Sequence, residues 1–151
     1  MNALELLGKD HFTLRNLFGR FDRTSNADYE KRTELLDQIR RELQIHSQAE
    51  EQIFYPAIKA FNGEGVRLVA QALRDHRDID RLSTQISRLK LTDKSFDEMF
   101  EMLVESVEHH IEEEEGEIFQ FAKENCSERQ LEDLGRQIEE RKRILDQQMA
   151  A

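Results

Sequence analysis

Apolar residues recur at three- and four-residue steps almost from one end of this chain to the other, and that period restricts it to helices packed on helices. Only six glycines and one proline interrupt 151 residues, too few breakers for the many turns of a sheet protein. Leu4, Leu7, His11, Leu14 and Phe18 share one face of a first helix. The polar stretch Arg23-Thr24-Ser25-Asn26 should end it, with Ser25 or Asn26 capping the next. A second helix is predicted from about residue 28 to 61, its inner face formed by Leu35, Ile39, Leu43, His46, Glu50 and Ile53, with a kink at Pro56 and a turn at Asn62-Gly63-Glu64-Gly65. The third carries Val69, Ala72, Leu73, His76, Ile79 and Ile86, and Thr92 or Ser95 should cap a fourth over about 96–123. Ser127-Glu128-Arg129-Gln130 has the form of a capping box and opens a shorter fifth helix with Leu131, Leu134, Ile138 and Leu145 on one side. Four long helices with short connections favour an all-α, antiparallel up-down four-helix bundle with a short additional C-terminal helix. Residues 1–125 would form the bundle, and 126–151 would pack on it or on a partner. Core capping is the preferred reading of that last stripe, and a homodimer through the C-terminal helix is the alternative.

Charge and cysteine content narrow the function classes. Thirty-two acidic against 22 basic residues leave a net charge of −10, without a basic cluster suited to phosphates, so nucleic acid is not an expected partner. The apolar runs are far shorter than the roughly 20 residues of a membrane span, and Met1-Asn2-Ala3 begins no signal peptide. No membrane association is expected, and the expected location is cytoplasmic. Cys126 stands alone, so any metal would have to be held by histidine and carboxylate.

The five histidines are not scattered. A shift of 65 residues lays Asp10-His11 on Asp75-His76, and a shift of 64 lays His46, Glu50 and Glu51 on His110, Glu114 and Glu115. The same shift lays Phe54-Tyr55 on Ile118-Phe119. A helix pair is used twice, and each copy brings one lone histidine and one His-x3-Glu. At about 100° per residue, positions four apart stack on one helix face and can reach the same point in space. Four imidazoles and two carboxylates in phase with apolar stripes would be costly to bury unless something neutralised them, and a metal pair would do so. Phase places His110 with Glu114 on the inner face, whereas His109 lies about 160° from its centre and should face water. Glu51 lies roughly 140° from His46, and Glu112, Glu113 and Glu115 read as a solvated acidic face. Tyr55, at about 180° from His46, is expected in packing rather than at the site. No Ser-His-Asp order, phosphate loop or nucleotide fingerprint is present.

Asp10-His11, His46-x3-Glu50-Glu51 followed by Phe54-Tyr55-Pro56, Asp75-His76 and His110-x3-Glu114-Glu115 together resemble the hemerythrin-like, or HHE cation-binding, family. The resemblance covers roughly residues 1 to 125. It implies a four-helix bundle around two iron ions, with His11, His46, His76 and His110 as terminal ligands and Glu50 and Glu114 as bridges beside an oxo or hydroxo group. The ferritin-like alternative needs Glu-x-x-His, which none of these histidines satisfies. Zinc or manganese could occupy the same donors. The oxygen-carrying members have a further histidine one turn after the third-helix ligand. Here that position is Asp80, which phase points inward beside His76 as a third ligand or an acceptor for its ring N–H. The implied partners are O2, peroxide or NO, bound, sensed or turned over. The alternative is an iron- or oxygen-responsive regulatory or interaction module without turnover.

Overall fold

A computed structural model describes residues 1–150, which form helices and no strand. Helix α1 is Ala3–Asp22, α2 covers 29–59, α3 is Gly63–Ser87, α4 covers 94–125 and α5 is Glu128–Ala150. The first four make the up-down bundle. Helix α5, at 23 residues, is not the short helix expected: it exceeds α1, at 20, and approaches α3, at 25.

The helix starts follow local chemistry. Asn2 caps α1 by accepting from the Glu5 N–H at 2.9 Å, and Asn62 caps α3 through the Glu64 and Gly65 N–H groups. The Ser127 and Gln130 pair forms the reciprocal capping box, with contacts of 2.8 and 3.1 Å. Two caps fall elsewhere than expected. Asp28, not Ser25 or Asn26, accepts from Lys31 N–H at the start of α2. Asp93, not Thr92 or Ser95, precedes α4, with its carboxylate turned back to accept from Lys90 N–H. Asp28 lies next to the first turn of α2 and bonds into it, whereas Asp93 holds the position before α4 without a side-chain bond into the helix.

Helices α2 and α4 are not regular. Each contains one π-turn, Glu50–Phe54 in α2 and Glu114–Ile118 in α4, in which the N–H of Tyr55 or Phe119 donates to the carbonyl five residues back. Proline does not explain them, because Pro56 follows only the first. The repeat therefore extends to the backbone distortion: each His-x3-Glu runs into a π-turn at its Glu.

The apolar core is divided in two. Leu14, Phe18, Leu35, Ile39, Ile79, Phe96, Phe100 and Leu103 fill one half. Leu7, Ala49, Phe54, Ile58, Val69, Ile118 and Phe119 fill the other. Between them lies a buried polar layer of His11, His46, Glu50, His76, His110 and Glu114. Helix α5 buries Leu131, Ile138 and Leu145. Its Gly135 faces the backbone of Met1 and Asn2 so closely that a β-carbon would collide. Arg41 on α2 pairs with Asp146 at 2.6 Å, and Lys142 pairs with Asp10 on α1. The apolar stripe of α5 thus packs on its own bundle. Among the described residues, no helix is long and apolar enough to cross a membrane.

Candidate metal centre

The polar layer resolves into two donor groups. His11, His46, Glu50 and Glu114 form one, and Glu50, His76, His110 and Glu114 the other, with the donor atoms of each group within 4.8 Å of one another. Both carboxylates belong to both groups, the placement required of bridges. Glu50 Oε1 lies 3.1 Å from His46 Nε2 and 3.2 Å from His76 Nε2. Glu114 reaches His11 Nε2 at 3.1 Å through one oxygen and His110 Nε2 at 3.4 Å through the other. Both glutamates are 0% exposed. His109, one residue from His110, points to solvent and pairs with Glu113 at 3.1 Å.

Behind each imidazole stands a carboxylate from another helix. His46 Nδ1 meets Asp10 at 2.8 Å, His110 Nδ1 meets Asp75 at 3.2 Å, His76 Nδ1 meets Glu51 at 2.8 Å and His11 Nδ1 meets Glu115 at 2.7 Å. Each Nδ1–H donating outward fixes the tautomer and turns the Nε2 lone pair inward, the arrangement that a metal-binding histidine needs. The four contacts obey the repeat: the aspartates act within a helix pair and the glutamates across to the other pair. All ten residues of the doubled pattern are thereby used. The solvated role expected for Glu115, and the setting aside of Glu51 on phase, are corrected: although 38% and 43% exposed, each commits an oxygen to a buried ring. Removing such an acceptor typically weakens metal binding by roughly 10–100-fold. Glu51→Ala should therefore lower metal affinity by that order in a titration, and an unchanged affinity would show that the His76 contact carries no weight.

Asp80 does not join either group. It is exposed and lies on a cleft of about 500 Å³ between α2 and α3, with Arg40, Gln44, Ser47 and Ser83 among its walls. Phase points it inward beside His76, but that side of α3 borders an open polar cleft, so the carboxylate faces water. Glu51 takes the position at His76 Nδ1 foreseen for it.

Tyr55 departs furthest from expectation. It is 1% exposed, and its hydroxyl lies 3.2 Å from Glu50 Oε1, 3.2 Å from His76 Nε2 and 3.5 Å from His110 Nε2, and donates to Glu114 Oε2. A regular helix would carry nine residues from His46 through about 180° of net rotation, but the extra residue of the π-turn removes one step and leaves about 80°. The equivalent Phe119 is brought inward the same way and stacks on the His11 ring at 5.8 Å.

The residues fit a cation on two grounds. His11 Nε2, His46 Nε2, Glu50 Oε2 and Glu114 Oε1 are buried side-chain atoms without a hydrogen-bond partner, and they are one atom from every member of the first donor group. Such orphans are costly unless an ion coordinates them. The electrostatics agree. Burial opposes charge here, yet contacts with neighbouring groups win at His46, His76, His110 and Glu114. His46 is held well above the usual imidazole range by Glu50 and Asp10, and His110 is pushed up to about 10 by Asp75 and Glu114. Glu114 is held well below the carboxylate range, burial notwithstanding, by its close contacts with Glu50, His11 and His110. In metal-free protein, protons on His46, His76 and His110 are favoured by the carboxylates around them.

That balance has a pH signature. Because His110 rises from an ordinary 6.5 to about 10 on folding, its contribution to stability is complete below pH 6.5 and is lost as pH climbs through about 10. Thermal unfolding of chelator-treated protein should show a midpoint falling from pH 7 to pH 10, while metal affinity rises over the same range as protons are expelled. A metal-free midpoint flat across that interval would contradict the protonated imidazole.

Comparison with known proteins gives three findings. The family description "Hemerythrin HHE cation binding domain" matches residues 2–122. A DNA nickase of Nostoc sp. is 28% identical over 99% of this chain, which spans 41% of that protein's length. An uncharacterized hemerythrin-like protein of Schizosaccharomyces pombe is 26% identical over 91% of this chain and 67% of its own. In fold, the chain is similar to the crystal structure of a hemerythrin HHE cation-binding domain-containing protein from Mycobacterium kansasii, with a TM-score of 0.85 at 24% identity, covering 96% of this chain and 87% of that one.

Proposed function

Because the chain belongs to the hemerythrin HHE cation-binding domain family, we propose that it holds two iron ions between α1, α2, α3 and α4 and uses them to react with O2, peroxide or NO. The observation that carries this is the pair of buried donor groups sharing Glu50 and Glu114, one of them with its inward atoms unpartnered. Imidazole with carboxylate suits iron, and zinc or manganese would compete for the same donors. Iron there supplies one-electron exchange with small oxidants. The protein's part is to hold His11, His46, His76 and His110 with their Nε2 atoms inward through Asp10, Glu115, Glu51 and Asp75, to share Glu50 and Glu114 between the positions, and to close the layer on both sides with apolar core.

Chemistry of this site favours oxidation over carriage. Neither metal position has the additional histidine of the oxygen carriers, and Asp80 stands out in the cleft. Reduced, iron-loaded protein mixed with O2 in a stopped-flow spectrometer should convert to a ferric spectrum that does not revert when the gas is removed. Full return to the ferrous spectrum over repeated cycles would restore the carrier reading.

A second reading, a regulatory module responding to iron or oxygen, draws on one contact. Lys142 of α5 reaches Asp10, which in turn holds His46, so a change at the centre has a direct polar path to the C-terminal helix. The nicking of DNA named for the Nostoc protein is not carried over: this chain matches less than half of that protein, and a net charge of −10 repels a phosphate backbone.

A further inference from the structure

Positions 55 and 119 are equivalent in the repeat, and their side chains differ by one hydroxyl. Each follows the π-turn that begins at a Glu of the centre. At 119 the ring is a phenyl stacked on His11. At 55 it is a phenol whose oxygen touches an inward atom of every member of the second donor group: Glu50 Oε1, His76 Nε2, His110 Nε2 and Glu114 Oε2. Among the described residues, no other side chain outside the four histidines and two glutamates contacts all four of these atoms. The ring is fixed from the sides, with Phe54 at 5.9 Å and the His76 ring at 5.3 Å between centroids, and a side chain so enclosed cannot swing to solvent.

The geometry points to Tyr55 Oη as a fifth protein ligand of the metal held by His76 and His110, making the two metal positions chemically unlike. This rests on the di-iron reading and deepens it. Phenolate is a hard, anionic oxygen donor that suits ferric iron, and a cation among those four atoms is within bonding reach of the phenol oxygen. On binding, the O–H bond breaks, the oxygen keeps the electron pair for the metal and the proton leaves to solvent with those of the imidazoles. At the other position Phe119 offers no donor. A metal between His11 and His46 would therefore have no fifth side-chain donor on this side, only the Phe119 ring stacked on His11.

The probe is ferric iron itself, loaded into the full chain. Phenolate bound to ferric iron gives a visible charge-transfer band and, with excitation in that band, phenolate ring vibrations in resonance Raman. Wild-type protein should show both. Tyr55→Phe should lose both while still taking up iron, and Phe119→Tyr should strengthen them. The sequence has two tyrosines, and Tyr29 is half exposed at the start of α2. Tyr29→Phe should consequently leave the signature intact, which identifies Tyr55 even if Tyr55→Phe does not fold. Two irons per chain without the band overturn this assignment alone, as does a band abolished by Tyr29→Phe. A folded chain that takes up no iron overturns the di-iron reading and this assignment with it.

Discussion

Glu114→Gln should empty both metal positions at once. The carboxylate is shared by the two donor groups, touching His11 through one oxygen and His110 through the other, and a neutral amide cannot bridge two cations. Loss of metal affinity at each position should exceed about 100-fold, the upper end of what removal of an outer acceptor costs. Glutamine is chosen over alanine because the site is fully buried. Deleting one partner of a buried charged cluster costs on the order of 3–5 kcal/mol, and a truncation would mix unfolding with metal loss. Glu50→Gln should behave alike. Metal analysis of the folded variants checks this. If either variant kept one metal per chain, the bridging role of that glutamate would be wrong.

His110→Ala should abolish at least one metal position, whereas His109→Ala should leave both intact. The two residues are neighbours in sequence and face opposite ways: His110 is 5% exposed within the polar layer, while His109 pairs with Glu113 in solvent, its side chain 66% exposed. Surface pairs of this kind contribute only about 0–1 kcal/mol, so the second substitution should be nearly silent in stability as well. Metal content per chain of the two purified variants, compared with the parent, reads the difference directly. Equal losses would mean that His110 matters only for the fold of α4.

These two expectations were already legible in the sequence, and the reason is regular helical geometry. From His46 to Glu50 and from His110 to Glu114 the helices are α-helical, so counting at 3.6 residues per turn puts these residues on inner faces, where they are buried with His11 and His76. Beyond each Glu the count fails, because the π-turns begin there. Tyr55 was accordingly assigned to packing, although its hydroxyl lies among the donors. Composition holds no warning of a π-turn; the one available hint was that Phe54-Tyr55 and Ile118-Phe119 repeat in register with the motif.

The roles of Glu51 and Glu115 were missed for a different reason. They lie off the inner faces of their own helices, as phase requires, and serve histidines on neighbouring helices. Contacts between elements depend on how helices pair, which periodicity within one helix does not encode. The same gap explains Asp80, whose inward phase faced an open cleft rather than a packed neighbour. The bundle itself needed no such information, since apolar spacing and scarce turn residues leave few alternatives.

The most direct test of the centre is an anaerobic titration of the metal-free chain with ferrous iron, followed by metal analysis after removal of unbound ion. Two irons per folded chain are expected, falling to none in Glu114→Gln. Saturation at one iron, or a folded chain that retains none, would contradict a pair of donor groups joined by Glu50 and Glu114.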